Sequence, residues 1–583
     1  MVEFYPGLMI EDTKPVRNAG TGICPTYTLG RAVLSDAVTL VRSDRFNTLD
    51  YTVSNLTSWG YNEVQQDYKT MGGSMLYKLI QRGIPGWFPY NSVAIMQPMY
   101  TKKANAAIAK ELGTIAQFTL DDPKPPATPF VVATSASIRT VLSNPKQYVL
   151  PWLAPLNSLF PGKKDFSWFM LSGDTPVNFQ ERINMQKAMK KAPNLHNAIH
   201  EFVEKIGAEL IKKETFTLKE GLNQIDIIRD IAIPLNARLL ADMFYFDLKS
   251  EENPDGVLNA AELYNNLLNI RIWGVNNNDP GQAWNRRRRA QEGAQVIIDT
   301  TRKLVDEVVR GRGLGLGIAT ALSDRLSRKA YIKKDSLRWC GYQIVDELLA
   351  QGNSAERVTD NLWLTAFGGI GAPVTAFYEV LEFFLRPENA SIWAEVQGLT
   401  LKGDDAGLHE YVREAQRLTS TQRNVRVAVA PGELEGKQVQ PGNAIVMLLG
   451  EAGRNPTEIE DATTFNPKRK INDVSSFSFG QHECLAKDLA LAFIVGLVKL
   501  AADLRQLRPA PGQMGQVRTI RVGTEKAYLN DSWSYLAFDA STWKLHFDGH
   551  GKGAFTGERQ PTEQVEMQQY YFLLKKAKDE LLG

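Results

Sequence analysis

With 583 residues and a mass of 65.1 kDa, the chain exceeds one ordinary domain and is long enough to bury a sizeable core. Lys and Arg number 67 against 65 Asp and Glu, a formal charge of +2 that supplies no global basic field for nucleic acid. Apolar residues at 43% and charged residues at 23% exclude a disordered or fibrous chain.

Residues 1–100 are rich in turn signals, among them Tyr5-Pro6-Gly7, Cys24-Pro25 and Pro85-Gly86, and hold no histidine. They predict an appendage to a main domain over 101–583. A helical pattern from Lys102 to Phe118 precedes a Pro-rich loop, Asp122 to Pro129. Phe130-Val131-Val132-Ala133 predicts a short strand, with Ser135 capping the helix that follows. Helices dominate from Ile183 to Gly311, with breaks near Pro254 and from Asn276 to Gly281. The basic run Arg286 to Arg289 predicts a solvated helix face, with a contact to lipid headgroups or a partner as the other reading. Helix resumes from Ser336 to Leu385. Strands and turns follow at Val425 to Val429, Pro431-Gly432, Val439, Pro441-Gly442 and Ala444 to Leu449. The helix from Leu485 to Leu507 contains the longest apolar stretch, Leu489 to Ala502. Lys499 interrupts that stretch, which falls short of the roughly 20 residues of a membrane span and predicts a buried core helix. Beyond it the pattern is loop and strand, so the fold class is mostly α with small β-sheets.

Three cysteines, Cys24, Cys340 and Cys484, are too few and too scattered for a disulfide framework and fit a reducing compartment. The N-terminus has neither a basic flank nor an apolar run, so a cytoplasmic location is expected, with peripheral contact to lipid left open. Cys484 is distinctive because it follows a Gly-containing loop and starts an apolar helix. Helix N-terminal amides favour negative charge, which predicts a thiolate able to bind a metal. Taken alone, a buried cysteine acting as a small hydrophobe is the equal alternative.

The segment Phe477-Ser-Phe-Gly-Gln-His-Glu-Cys-Leu-Ala486 resembles the haem-binding loop of the cytochrome P-450 superfamily, with Phe477, Gly480, His482 and Cys484 on the family spacing and Ala486 where Gly is usual. The resemblance implies haem b (iron protoporphyrin IX), with Cys484 as axial ligand to the iron and His482 at a propionate. Glu414-Ala-Gln-Arg417 looks like the family's Glu-x-x-Arg pair, and Phe465-Asn-Pro-Lys-Arg469 like the segment packing on it, together a buried charged network. Arg426 matches a strand arginine that pairs a propionate, and Arg182 an arginine on the family's third helix, with Asn178 where His or Trp is common.

In oxygen-activating members the central helix carries an acid followed by an alcohol. Here Gly368-Gly369 align with the family's small pair, placing Gly371 and Ala372 at those positions; another register places Thr375 at the alcohol. No carboxylate lies between Asp360 and Glu379, which weakens a proton relay. Gly368, Gly369, Gly371 and Pro373 would cost a straight helix on the order of 6 kcal/mol. Either a kinked helix over the haem or a break between two helices accounts for them. Thr365-Ala-Phe-Gly-Gly also looks like plant allene oxide synthases, which carry Asn at the Thr365 position. Glu3 to Glu11, Arg31 to Phe46 and Leu56 to Tyr61 look like the C-terminal end of the peroxidase-like dioxygenase domain in fungal psi-factor-producing oxygenases and linoleate diol synthases. There that domain precedes a cytochrome P-450 domain and also supports oligomerisation. The first histidine here is His196, so residues 1–100 are expected to be a remnant without a haem of their own.

The resemblance therefore implies a haem-thiolate isomerase or dehydratase that converts an unsaturated C18 fatty acid hydroperoxide to an epoxyalcohol, allene oxide or diol without external electrons. Few polar groups between Gly369 and Pro373 favour cyclisation of a substrate radical over directed hydrogen abstraction. The rival readings are a reductase-dependent monooxygenase and a degenerate haem-binding scaffold. His196 and His200 could share a helix face but lack a third ligand. Substrate contacts are expected between Tyr148 and Leu171.

Overall fold

The computed structural model describes residues 130–549, apart from 193, 220, 252, 276–282, 314–335, 471–473, 518, 523–524, 530–535, 538. The appendage over 1–100, the helix from Lys102, the Pro-rich loop before Phe130, the break at 276–281, Cys24 and His550 lie outside the described residues.

Twelve helices of eight residues or more are described: α1 (Ser135–Leu142), α2 (Pro176–Lys190), α3 (Leu195–Glu214), α4 (Ile233–Met243), α5 (Ala260–Val275), α6 (Ala283–Gly313), α7 (Leu337–Ala350), α8 (Ala355–Ala366), α9 (Ala372–Phe384), α10 (Ala390–Lys402), α11 (Asp405–Thr419) and α12 (Lys487–Ala502). The apolar α12 is central, packing on α3, α9 and α11 with Leu491 to Val498 buried. A Cβ on its Gly496 would stand 2.7 Å from Val203 Cγ1 on α3, so this close approach requires glycine.

A four-stranded sheet runs β1 (Phe130–Val132), β8 (Ala444–Met447), β5 (Asn424–Ala428), β2 (Tyr148–Val149); β1 is parallel to β8 and the other pairs are antiparallel. Between β5 and β8 lies the hairpin of β6 (Gly432–Leu434) and β7 (Lys437–Val439). A second sheet runs β3 (Phe216–Lys219), β4 (Leu222–Asp226), β13 (Lys544–Phe547), β9 (Arg508–Pro509). A third runs β10 (Thr519–Val522), β11 (Glu525–Leu529), β12 (Leu536–Ala537).

The structure departs from the sequence reading at four places. Thr134, not Ser135, caps α1, accepting from Ser137 N at 3.1 Å. The expected helical stretch from Ile183 is interrupted by the β3–β4 hairpin, whose β4 pairs with β13 from the far end of the chain. The basic run is not a solvated face. Arg286, Arg287 and Arg289 are 4%, 1% and 9% exposed, and Arg287 Nε donates to Ser158 O at 3.2 Å. Finally, the helix from Ser336 is three helices, with α8 and α9 separated by a 3-10 turn, Phe367–Gly369, and by Gly371 at φ +76°. Gly368 and Gly369 sit in the turn and Pro373 in the first turn of α9, so none of them bears the cost of a helix interior.

Candidate haem-thiolate site

A cavity of about 340 Å³ lies where α2, α4, the α8–α9 turn and the start of α12 converge. Cys484 borders it from the loop ahead of α12. That loop is closed by Cys484 N donating to Phe477 O at 2.8 Å and Glu483 N to Gly480 O at 3.0 Å. Two left-handed residues, Ser478 (φ 66°) and Gly480 (φ 69°), turn it. Phe477, His482 and Ala486 also border the cavity. The Cys484 side chain opens on this space, yet protein surrounds it, and burial pushes its thiol above the ordinary range. The Ala486 amide and the Arg182 charge pull the other way. Burial outweighs the helix amides invoked from sequence, because α12 begins only at Lys487 and the helix field fades within a turn. Coordination to iron deprotonates such a thiol outright.

Arg182 on α2 borders the cavity, and its Nη2 donates to Glu483 O. His482 Nε2 lies 2.6 Å from Asp174 Oδ1, while His482 Nδ1 is buried without a partner. Arg426 on β5 is 2% exposed, its Nη1 bonded to Val425 O and Asn424 Oδ1, its Nη2 buried and unpaired. Burial holds its guanidinium down to about 10, with Asp174 opposing. Asn178 is not at the cavity: its carboxamide caps α2 through Thr175 and donates to Ser167 O and Phe169 O. Haem suits this donor set. Cys484 would supply a sulfur to iron, Arg182 and His482 at the cavity have capacity left for propionates, and Arg426, just outside the lining, is bonded to the lining residue Asn424.

Glu414 and Arg417 on α11 are 0% and 1% exposed. Arg417 Nε and Nη2 each meet Glu414 at 2.8 Å, its Nη1 bonds Gly453 O and Ala462 O, and Arg469 Nε reaches Glu414 Oε1 at 3.3 Å. The i,i+3 spacing therefore makes a fully satisfied buried network rather than a surface pair.

Gly368, Gly369, Ala372, Pro373 and Ala376 border the cavity. Gly371 and Thr375 do not, which corrects their placement among candidate catalytic residues. A Cβ on Gly371 would meet Asp539 Oδ2 at 2.8 Å and Arg271 Nη1 at 2.9 Å, and Thr375 Oγ1 donates to Asp539 Oδ1 at 3.1 Å. Neither is free for a relay. Among the described lining residues the one carboxylate is Glu483, bonded to Lys487 at 2.8 Å. Sequence reasoning missed Asn236, which borders the cavity, and Asp174, Arg271 and Asp539, which hold residues around it; none belongs to a local motif. Thr365 is at the cavity with Oγ1 buried and unpaired, and Trp152, Met170 and Leu171 come from the segment expected to contact substrate. His196 and His200 pair at 3.2 Å on an exposed face of α3, and no group of three metal-binding side chains occurs among the described residues.

No protein-family model matches the chain. The fold is that of cytochrome P-450. The open cytochrome P-450 EryK from S. erythraea aligns over 77% of this chain and 98% of its own, with TM-score 0.51 and 15% identity. CYP109E1 from Bacillus megaterium gives TM-score 0.50 at 16% identity over 72% of this chain and 92% of its own. The chain is a homologue of the psi-producing oxygenases and linoleate diol synthase-type fusions. It is 30% identical to psi-producing oxygenase A of Emericella nidulans over 94% of its length and 51% of that protein's. It is 30% identical to the bifunctional dioxygenase–epoxy alcohol synthase of Fusarium oxysporum over 95% and 43%. The chain thus spans about half the length of these curated relatives.

Proposed function

We propose that the chain is a haem-thiolate enzyme of oxylipin formation that rearranges an unsaturated C18 fatty acid hydroperoxide, with an epoxyalcohol as the favoured product and an allene oxide or diol as the alternatives. The observation that carries this reading is the composition of the cavity wall. Cys484 borders one cavity with Gly368, Gly369, Ala372 and Pro373, and among the described lining residues there is no acid, and so no acid–alcohol pair, from the central helix. Activating O2 calls for a proton relay, which the described lining residues of the central helix do not form, whereas a substrate already at the peroxide level needs none. The names of the relatives, an epoxy alcohol synthase and a linoleate diol synthase among them, support the substrate class.

Haem held by Cys484 would supply the chemistry of O–O cleavage, with thiolate donation assisting. The chain's own residues do the rest. Arg182 and His482 on the cavity wall would hold propionates, with Arg426 just outside the lining and bonded to the lining residue Asn424; Leu239, Leu240, Met243, Phe493 and Ile494 would exclude water from the acyl chain, and Thr365 Oγ1 is available to hydrogen-bond a peroxide oxygen. An epoxyalcohol or diol retains every atom of the hydroperoxide and an allene oxide releases one water, so neither NADPH nor O2 is consumed. The test is haem-loaded protein mixed with purified linoleic acid hydroperoxides in the absence of NADPH and reductase, with products identified by mass spectrometry. Rapid conversion is expected. No conversion, with hydroxylation appearing only when a reductase and NADPH are added, would overturn the proposal in favour of a monooxygenase.

A further inference from the structure

The broken turn between α8 and α9 leaves three backbone groups outside any helix ladder, and distant side chains take all three. Asn236 on α4 is fully buried and borders the cavity. Its Nδ2 donates to Gly369 O at 3.2 Å and its Oδ1 accepts from Gly371 N at 3.1 Å, so one carboxamide pins both sides of the break. On the outer side Arg271 Nη1 donates to Ile370 O at 2.9 Å and meets Asp539 Oδ2 at 2.8 Å. Asp539 Oδ1 in turn accepts from Thr375 Oγ1.

The two halves differ in what they touch. Arg271, Asp539 and Thr375 hold the turn from behind, whereas Asn236 stands in the cavity wall beside Gly368 and Gly369. A buried carboxamide bonded at both ends has one orientation, and the backbone that it pins has one path. Without it, Gly369 O and Gly371 N would turn toward the cavity or toward each other, changing the space above Cys484.

We infer that Asn236 is the positioning residue that fixes this wall, and that it sets both the access of small ligands to the haem iron and the ratio of rearrangement products. Only the second effect rests on the hydroperoxide reading. Asn236→Leu keeps approximate volume and removes both bonds. Asn236→Asp keeps the acceptor for Gly371 N but sets a carboxylate against Gly369 O. Asp360→Asn is the comparison for stability alone, because it weakens the Lys164–Asp360 pair on α8, outside the cavity lining.

The experiment measures imidazole affinity by difference spectroscopy on the haem-loaded protein, together with Tm and the product ratio. Asn236→Leu is expected to change imidazole affinity about tenfold, the scale of one or two buried hydrogen bonds, and to shift the product ratio. Asn236→Asp should fall between it and the parent, and it decides the question if Asn236→Leu does not fold. Asp360→Asn should lower Tm while leaving imidazole affinity and product ratio at parental values. If the Asn236 variants lower Tm but leave both other readouts unchanged, the inference is overturned. If the parent protein converts no hydroperoxide, the functional proposal fails, while imidazole affinity still decides the role of Asn236.

Discussion

The cysteine wall of the cavity and the broken-helix wall hold their shapes by different means. Around Cys484 the geometry is local: two left-handed residues, two backbone bonds within ten residues and the start of α12 place the sulfur. Behind it, Glu414 and Arg417 lie one helical turn apart, and the carbonyls that complete their network, Gly453 O and Ala462 O, come from 36 and 45 residues further along the chain. At the broken helix almost nothing is local. Asn236 on α4 and Arg271 on α5 bond the five-residue interruption, and Asp539 from the segment before β13 holds Arg271 and Thr375 beside it. The cysteine loop is shaped within one contiguous stretch, whereas the broken-helix wall is assembled from distant parts.

The sharpest way to break this contrast is Cys484→Ser. The local wall should lose its single irreplaceable atom, so the thiolate-type carbon monoxide spectrum and all hydroperoxide conversion should vanish while far-UV circular dichroism is retained. Next in size is Glu414→Gln, which leaves Arg417 charged in a site 1% exposed. A loss of about 3–5 kcal/mol is expected by urea unfolding. Arg426→Met should weaken haem binding about tenfold or more in a haem titration, through loss of a charge-assisted bond, with little change in Tm. Thr375→Val removes bonds to Asp539 and from Ala540 N behind the broken wall and should cost about 1–2 kcal/mol while leaving the haem spectrum unchanged.

The smallest effect concerns the His196–His200 pair, remote from both walls. Burial, then the His196 charge and Lys499, lower the His200 pKa, with Asp405 and Glu204 opposing. A folded-state value below the unfolded one means that the unfolded chain binds the extra proton more readily. Stability should therefore fall as pH drops through the ordinary imidazole range, and His200→Asn should flatten that slope in unfolding curves.

The legible part of the molecule follows the same division. Phe477 to Ala486 and Glu414 to Arg417 could be read because each carries a short motif that resembles the cytochrome P-450 pattern, although the groups that complete the second network lie 36 to 55 residues away. Four helix breakers in six residues marked a disturbance of the helix but left a kink and a break as alternatives, and the structure holds the break. Whether Gly371 and Thr375 point into the cavity was not legible. A helix break rotates everything beyond it, and the direction depends on partners that sequence does not place. Arg286 to Arg289 failed for a related reason: a charge run reads as solvated unless one knows that carbonyls such as Ser158 O are waiting for it. Asn178 reads as an anomaly at a propionate position until its capping bonds are seen.

The pairing of β4 with β13 has a consequence for synthesis. His546 and Gln224 are 322 residues apart, yet their strands are direct neighbours, with β3 on the other side of β4. During translation at about 5–20 residues per second, β4 is complete tens of seconds before its partner strand leaves the ribosome. Throughout that interval the β3–β4 hairpin offers an unpaired edge, the kind of surface that recruits another chain. Crowding on polysomes or a shortage of chaperones should therefore reduce the yield of the chain before any change in the finished protein is detectable.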